Sequence, residues 1–276
     1  MFNVRKNYFI NTYLFFILIS SVSCSNTNKI VVQDEVSDLK IYKNGQSYLK
    51  NNNYEKAVVE FDKLFHNYPF SPLASRSEIM TAYSLFENNE IEKAIEKLEE
   101  FLDMNPSGKL SEYAQYLIAM SYYIQVSNEG RDPTLSHKAL KYFRIVTTKY
   151  PNSIYAKDAK LKIEYINNSL AQNELRIGIY YLNNNSPISS IKRFKSVIQK
   201  YQNTAVIPET LYRLCEAFLM IGLKQEAIKS SSLLSYNFPE NEWTKLSKEI
   251  LDDTQKLEIN KGFLNSITNY MKKMID

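Results

Sequence analysis

The sequence predicts an all-α fold, a superhelical array of five similar helix pairs followed by a C-terminal helical cap. The first observation behind this prediction is a pattern of small, aromatic and proline residues that recurs five times between residues 37 and 239. The second is the composition. The 276 residues include only 6 glycines, which argues against a β-rich fold with many tight turns and against glycine-rich phosphate loops.

Residues 1–23 have the pattern of a secretory signal peptide. Arg5 and Lys6 give a positive start, and an uninterrupted apolar run follows over residues 13–19. Small residues then lead to Cys24. Because a helix needs about 20 apolar residues to cross a bilayer, this run is too short to be a membrane span.

Small residues that end at a cysteine resemble the bacterial lipoprotein signal, in which the cysteine is lipidated and becomes the new N-terminus. An ordinary signal peptide cut nearby, or an uncleaved anchor, is the alternative. We expect a covalent lipid on Cys24, no other cofactor, and a short tether over residues 24–36. Ser25 is not the aspartate that typically retains such proteins in the inner membrane. The expected location is therefore the periplasmic face of the outer membrane, with the lipid as anchor.

Charge and motifs argue against nucleic-acid binding and against catalysis. The chain carries 34 basic and 30 acidic residues, and removal of Arg5 and Lys6 with the signal peptide would leave 32 against 30. Such a balance gives no electrostatic footprint for nucleic acid. His66 and His137 are the only histidines, and neither has a partner at the spacing of a metal site or a catalytic triad. The sequence therefore predicts a protein that is not an enzyme and binds no metal.

The recurring pattern resembles the tetratricopeptide (TPR) repeat. Two antiparallel helices cross closely only where both present small side chains, and aromatic side chains fill the space beside the crossing. A proline ends the second helix in four of the five repeats, because proline lacks an amide donor. The pattern predicts five repeats, over residues 37–69, 73–106, 110–151, 154–202 and 205–239.

Three irregularities distinguish this array from a simple one. Repeat three contains an eight-residue insertion around residues 127–133. Repeat four has 14 extra residues, where residues 154–182 read as one unbroken helix. Repeat four also has Gln202 where the other repeats have proline. After the last repeat, apolar residues at helical spacing predict capping helices over residues 240–276.

The first helices of TPR pairs line a concave surface, and those of the first three repeats are rich in aromatic residues. Aromatic and basic side chains are common anchors of binding surfaces, so these positions predict a peptide-binding groove. The alternative for any one residue is packing into a neighbouring helix. The candidate groove residues on these helices are Tyr42, Lys50, Arg76, Tyr83, Phe86, Tyr113, Tyr116 and Tyr123.

In combination, the repeats, the lipoprotein signal, the insertion and the long helix resemble the BamD family. Local sequence adds to the resemblance over roughly residues 37–245. The stretch 68–72 (YPFSP) is similar to the family's turn after repeat one, and Arg131-Asp132-Pro133 to the end of its repeat-three insertion. The stretch 150–153 (YPNS) is similar to the start of its repeat four. The insertion is short and has Gly130 where the family usually has an acidic residue.

The resemblance implies a non-enzymatic scaffold of the β-barrel assembly complex. Such a scaffold would bind the POTRA domains of BamA and unfolded outer-membrane protein precursors, and possible further partners are other assembly lipoproteins. The family has a basic residue at its contact with the POTRA domains, and this residue matches Arg193. The tyrosine of the turn, linked to substrate recognition, matches Tyr68, and Phe70 of the same turn joins the expected peptide-binding residues.

Two other functions are compatible with parts of the sequence. Another periplasmic TPR adaptor lipoprotein, in pilus assembly or cell division, would share the anchor and the repeats but not the long helix of repeat four. A glycan-binding lipoprotein would be much longer and would bind sugars on inserted loops, which this chain lacks. The sequence leaves open the accessory partners, the stoichiometry and the role of the C-terminal helices.

Overall fold

The computed structural model describes residues 32–126 and 133–254, with side chains described from residue 38 onward. The regular secondary structure of these residues is helical, which confirms the predicted all-α class. The predicted signal peptide, Cys24, most of the insertion and the end of the chain lie outside the described residues. The helices are α1 (Val32–Lys50), α2 (Tyr54–Asn67), α3 (Ala74–Glu87), α4 (Ile91–Met104), α5 (Lys109–Tyr123), α6 (Thr134–Lys149), α7 (Ile154–Asn183), α8 (Pro187–Lys200), α9 (Ile207–Met220), α10 (Lys224–Asn237) and α11 (242–254).

The chain divides into two compact units, Met1–Asn89 and Glu90–Asp276. In the N-terminal unit, α2 packs against both α1 and α3. In the C-terminal unit, each helix from α4 to α9 packs against the next one along the chain. Contacts between neighbours in sequence are what a row of helix hairpins requires, because each hairpin buries its apolar face against the adjacent one.

In each unit a glycine allows a close helix crossing. A Cβ added to Gly45 of α1 would lie 2.7 Å from the ring of Phe61 on α2. A Cβ added to Gly178 of α7 would lie 2.3 Å from the ring of Phe194 on α8. Both phenylalanine side chains are fully buried. The small and aromatic positions of the repeat pattern therefore meet between the two helices of a hairpin. The phenylalanine ring occupies the space that a side chain at the glycine position would fill.

Turns between the two helices of a pair contain residues in the left-handed backbone region. Asn52, Asn89 and Asn185 have φ values of 55°, 62° and 52°, and Gly222 has a φ of 76°. Glycine and asparagine tolerate this conformation best, so these residue types fit the turn. Asn52 and Asn89 are separated by the same interval as Asn185 and Gly222, which makes the turn residue part of the repeat.

Helix α7 is a single helix of 30 residues, which confirms the predicted unbroken helix over residues 154–182. The Ser153 side chain accepts a hydrogen bond from the Tyr155 amide and caps its N-terminus. The first half of α7 packs with α6 in a core that contains Ile166 and Leu170. Its second half packs with α8 and α9 in another core, which contains Leu175. One helix thus serves two neighbouring hairpins.

The described part of the predicted cap, α11, packs on the last repeat. Trp243 lies against Tyr212, with ring centroids 5.1 Å apart. The Arg213 guanidinium lies 5.2 Å from the Tyr212 ring and 5.4 Å from the Trp243 ring, within the range of cation–π attraction. A hydrogen bond of 2.8 Å joins the hydroxyls of Ser231 and Ser247. Across residues 32–126 and 133–254, no helix has the length and apolarity required to span a bilayer.

Candidate functional site

Two of the predicted groove residues, Tyr42 and Arg76, come together in the N-terminal unit. Tyr42 is only 7% exposed, and its ring meets the edge of the Phe61 ring at a centroid distance of 5.5 Å. Burial raises the pKa of Tyr42, while the charge of Arg76 and a hydrogen bond with it oppose that rise. Tyr42 therefore packs internally, and the exposed Arg76 lies next to its hydroxyl group.

Three further predicted residues of the N-terminal unit keep some contact with solvent. Lys50 is exposed at the end of α1, and Tyr83 and Phe86 on α3 are half-buried. Burial raises the pKa of Tyr83 to about 12, with a contribution from its hydrogen bond to Glu87. The Tyr83 hydroxyl is thus held as a proton donor beside a carboxylate, in a position accessible from the surface.

The turn after repeat one presents an aromatic ring directly to solvent. Phe70 is 100% exposed, whereas Tyr68 packs partly against the core of the N-terminal unit. The Ser71 hydroxyl donates a hydrogen bond to the Asp38 carboxylate and accepts one from the Leu73 amide at 3.1 Å. The Ser71 amide also donates to the Tyr68 carbonyl at 3.0 Å. These bonds fix the turn, so the Phe70 ring is held outward on an ordered backbone.

In the C-terminal unit, the predicted tyrosines of α5 form a cluster with residues of α7. Tyr116 stacks on Tyr155 with ring centroids 5.0 Å apart, and Tyr113 lies 5.4 Å from the same ring. The Tyr116 hydroxyl donates a hydrogen bond of 2.6 Å to Asp158. Burial and this carboxylate raise the pKa of Tyr116. Tyr113 and Tyr116 therefore contribute to helix packing, with their half-buried edges left at the surface.

The other end of this cluster is open to solvent. Tyr123 contacts the Tyr165 ring edge at 6.3 Å, and the Lys162 ammonium lies 5.2 Å from the Tyr123 ring. Tyr165 is 61% exposed, and Leu161, one turn earlier on α7, is 60% exposed. We call Tyr123, Leu161, Lys162 and Tyr165 the α7 aromatic surface. Lys162 also pairs with Asp158 at 3.4 Å, so the surface offers mainly apolar and aromatic area, which suits an aromatic peptide segment.

Ionisation of the clustered tyrosines predicts a loss of stability at high pH. The folded pKa of Tyr116 lies above the ordinary value of 10.0. Its contribution to stability is therefore complete below pH 10.0 and is lost as the pH rises above that value, because the unfolded chain ionises first. We expect Tyr116→Phe to lose less stability than the parent protein between about pH 8 and about pH 11 in urea unfolding experiments.

Two comparisons test this assignment. Tyr116→Phe should be less stable than the parent by about 1 kcal/mol at neutral pH, because it lacks the bond to Asp158. Tyr236→Phe, at a tyrosine that is 86% exposed, should follow the parent across the whole pH range. If Tyr116→Phe and the parent lost the same free energy of unfolding at high pH, the loss could not be attributed to ionisation of Tyr116.

Arg193, the predicted scaffold contact, is paired within its own chain. Its guanidinium donates to both oxygens of the Glu174 carboxylate on α7, at 3.2 and 3.1 Å. The Arg193 side chain is 41% exposed, and that of Glu174 is 26% exposed. A partly exposed pair of this kind contributes under about 1 kcal/mol to stability. The charge of Arg193 therefore stays at the surface, held in place by Glu174.

Comparisons with known proteins place the chain in a family. The family model described as "YfiO: Outer membrane lipoprotein" matches residues 34–233. The outer membrane protein assembly factor BamD of Rickettsia prowazekii is 38% identical over 215 residues, which cover 78% of this chain and 86% of that protein. The protein of the same name from Caulobacter vibrioides is 38% identical over 213 residues, which cover 77% and 70% of the two chains. The chain belongs to the BamD family.

Membership in the BamD family confirms the resemblance, while the roles of individual residues stay predictions. The sequence did not indicate Tyr165 or Glu174 as site residues, although both occupy surface positions beside predicted ones. Asp158, Lys162 and Tyr165 lie at helical spacing on α7. This spacing places the three side chains on one face of α7, and that pattern could have indicated that α7 contributes to the site next to α5. Within the described ranges, no group of three or more His, Cys, Asp or Glu side chains could hold a metal ion.

Proposed function

We infer that this chain is a lipid-anchored, non-enzymatic scaffold of the complex that assembles β-barrel proteins into the outer membrane. The observation that carries this proposal is the family match over residues 34–233, together with relatives named as outer membrane protein assembly factors. Helix hairpins that pack against their neighbours support such a role, because stacked helical repeats are commonly used to bind protein partners. The proposed anchor is a lipid on Cys24, which holds the chain at the periplasmic face of the outer membrane.

The proposed clients are unfolded outer-membrane protein precursors. Barrel strands alternate apolar and polar residues and carry aromatic residues at their ends. In the N-terminal unit Phe70, Lys50 and Arg76 supply exposed aromatic and basic groups, and in the C-terminal unit the α7 aromatic surface supplies the exposed side chains of Leu161 and Tyr165. Such groups can bind an extended segment whose aromatic side chains are still exposed.

The proposed scaffold contact is between Arg193 and a carboxylate of the POTRA domains of a BamA-like barrel protein. Charge-assisted hydrogen bonds from a guanidinium to a carboxylate are strong and directional. Glu174 already occupies one side of the guanidinium, so the partner carboxylate would share Arg193 with it or displace it. Loss of the positive charge should therefore weaken the complex, and loss of Glu174 should not.

A pull-down from detergent-solubilised envelopes tests this function. We expect the parent chain to recover a POTRA-bearing barrel protein and Arg193→Glu to lose it, because the new carboxylate repels both Glu174 and the partner. Lys192→Glu is the matched control, since it makes the same charge change at the exposed neighbouring residue. Glu174→Gln should retain the barrel protein, because it leaves the Arg193 charge in place.

Three outcomes are informative. Loss in Arg193→Glu alone would support both the function and the contact residue. Recovery by both charge-reversal variants would discard Arg193 and keep the scaffold role. Failure of the parent chain itself to recover a barrel protein would contradict the proposed function.

A further inference from the structure

The C-terminal unit contains a polar cleft that the proposed function does not use. It lies between the first half of α7 and the turn that joins α8 to α9, and its volume is about 580 Å³. We call it the amide cleft, because its lining includes the side chains of Asn167, Asn168, Gln199, Gln202 and Asn203. The volume is within the usual range of binding pockets.

Two departures from the repeat pattern produce the amide cleft. Repeat four has a longer first helix, and the lining residues of α7 lie in its first half, away from the crossing at Gly178. Position 202 carries glutamine where the other four repeats carry proline. The first half of α7 therefore forms one side of the cleft. The opposite side is the turn after α8, where Gln202 has an amide side chain in place of the proline ring.

Most of the amide groups in the cleft have no partner among the residues that the structure describes. The side chains of Asn167, Gln199, Gln202 and Asn203 make no hydrogen bond to any residue between 38 and 126 or between 133 and 254. Asn168 differs, because its oxygen accepts from the Ala205 amide at 3.0 Å. That bond ties the turn to α7. The cleft is therefore held in shape by one amide, while four others can bond to an incoming molecule.

The charged residues of the cleft favour an acidic occupant. Lys160 and Lys200 are both exposed, and neither forms an ion pair with a residue that the structure describes. Glu164 is the acidic residue of the lining. Positive charges at a cleft attract carboxylates and raise the rate at which an acidic partner associates.

We propose that the amide cleft binds an extended peptide segment that carries at least one carboxylate. A side-chain amide offers both donors and an acceptor, so it can bond to the N–H and C=O groups of a peptide backbone that is not in a helix. Lys160 and Lys200 bond to the carboxylate of that segment. The Tyr201 ring of the cleft packs partly against residues of two cores, so only part of its face is left for a sugar ring.

Peptide binding by the full-length chain in detergent tests the proposal. The probes are a fluorescent decapeptide of alternating serine and aspartate, its serine–lysine counterpart, and a chitin tetrasaccharide. We expect fluorescence anisotropy to detect the acidic peptide and to show weaker binding as salt is added. Lys160→Gln with Lys200→Gln should weaken binding about fivefold, as expected for two exposed charges.

Two further variants separate the cleft from general charge effects. Lys157→Gln with Lys192→Gln removes two exposed lysines outside the cleft and should leave binding unchanged. Gln202→Pro restores the residue of the other repeats and should weaken binding about threefold through the lost amide bonds. Absence of acidic-peptide binding, equal binding of the basic peptide, equal effects of the two double variants, or binding of the tetrasaccharide alone would each overturn the proposal.

Discussion

Phe194→Ala should lower the free energy of unfolding by about 3–5 kcal/mol, the usual cost of removing a fully buried phenylalanine. The Phe194 side chain is 0% exposed and lies in a core with Leu175, Leu214 and Cys215. Its ring fills the space beside Gly178. Neither helix can move inward easily, because α7 also packs on α6 and α8 also packs on α9. The cavity would therefore persist, and the lost contacts would not be recovered.

Thermal unfolding followed by circular dichroism measures this effect. For a unit of this size we expect the midpoint to fall by about 10 °C, since each kcal/mol lowers it by about 2–4 °C. The matched control is Tyr236→Ala, which truncates an aromatic side chain that is 86% exposed. It should change stability by less than about 0.5 kcal/mol. Similar midpoints for the two variants would show that Phe194 is not a core residue.

Gly178→Val should destabilise the C-terminal unit by about 3 kcal/mol, at the upper end of the range for an overpacked core. The first added carbon would already lie 2.3 Å from the Phe194 ring, closer than carbon atoms approach one another. Either the ring must leave its rotamer or α7 and α8 must separate. Both responses disrupt the core that includes Leu182 and Phe218.

A double-mutant cycle identifies the cause of that loss. The control is Gln172→Val, which introduces the same side chain at an exposed position on the same helix. It should cost less than about 0.5 kcal/mol, the difference in helix propensity between the two residues. Combining Gly178→Val with Phe194→Leu should recover at least about 1 kcal/mol, because the smaller side chain relieves the clash. Additive effects of the two changes would contradict a direct contact between these residues.

The helical fold was predictable because the repeat pattern is local. Small and aromatic residues at fixed spacing indicated the hairpins, and the absence of proline between residues 154 and 182 indicated the long helix α7. The left-handed turn residues were harder to predict. Asn52 and Gly222 differ in type, and asparagine is frequent in this chain at many positions that are not turns. Their shared backbone conformation became evident only from the dihedral angles.

The candidate site was less predictable, because contacts between helices decide which side of a residue is buried. Tyr42 and Phe70 are both aromatic residues of the first repeat and the turn after it, yet one lies in a core and the other is entirely exposed. The pairing of Arg193 with Glu174 joins positions 19 residues apart on different helices. Spacing along the sequence shows which residues share a face of one helix. It does not show which residues of a neighbouring helix contact that face.

The continuity of α7 has a consequence for how this protein unfolds. In a stacked array, partial unfolding stops at the seams between neighbouring hairpins. There is no such boundary between the third and fourth hairpins. Helix α7 is about 45 Å long, and its backbone hydrogen bonds continue from the part that packs on the third hairpin into the part that packs on the fourth. Unfolding that starts at α11 can remove the last hairpin, α9 and α10, by itself. The next step releases α8 together with the whole of α7, so the Arg193–Glu174 contact and the tyrosine cluster are lost together in one cooperative event.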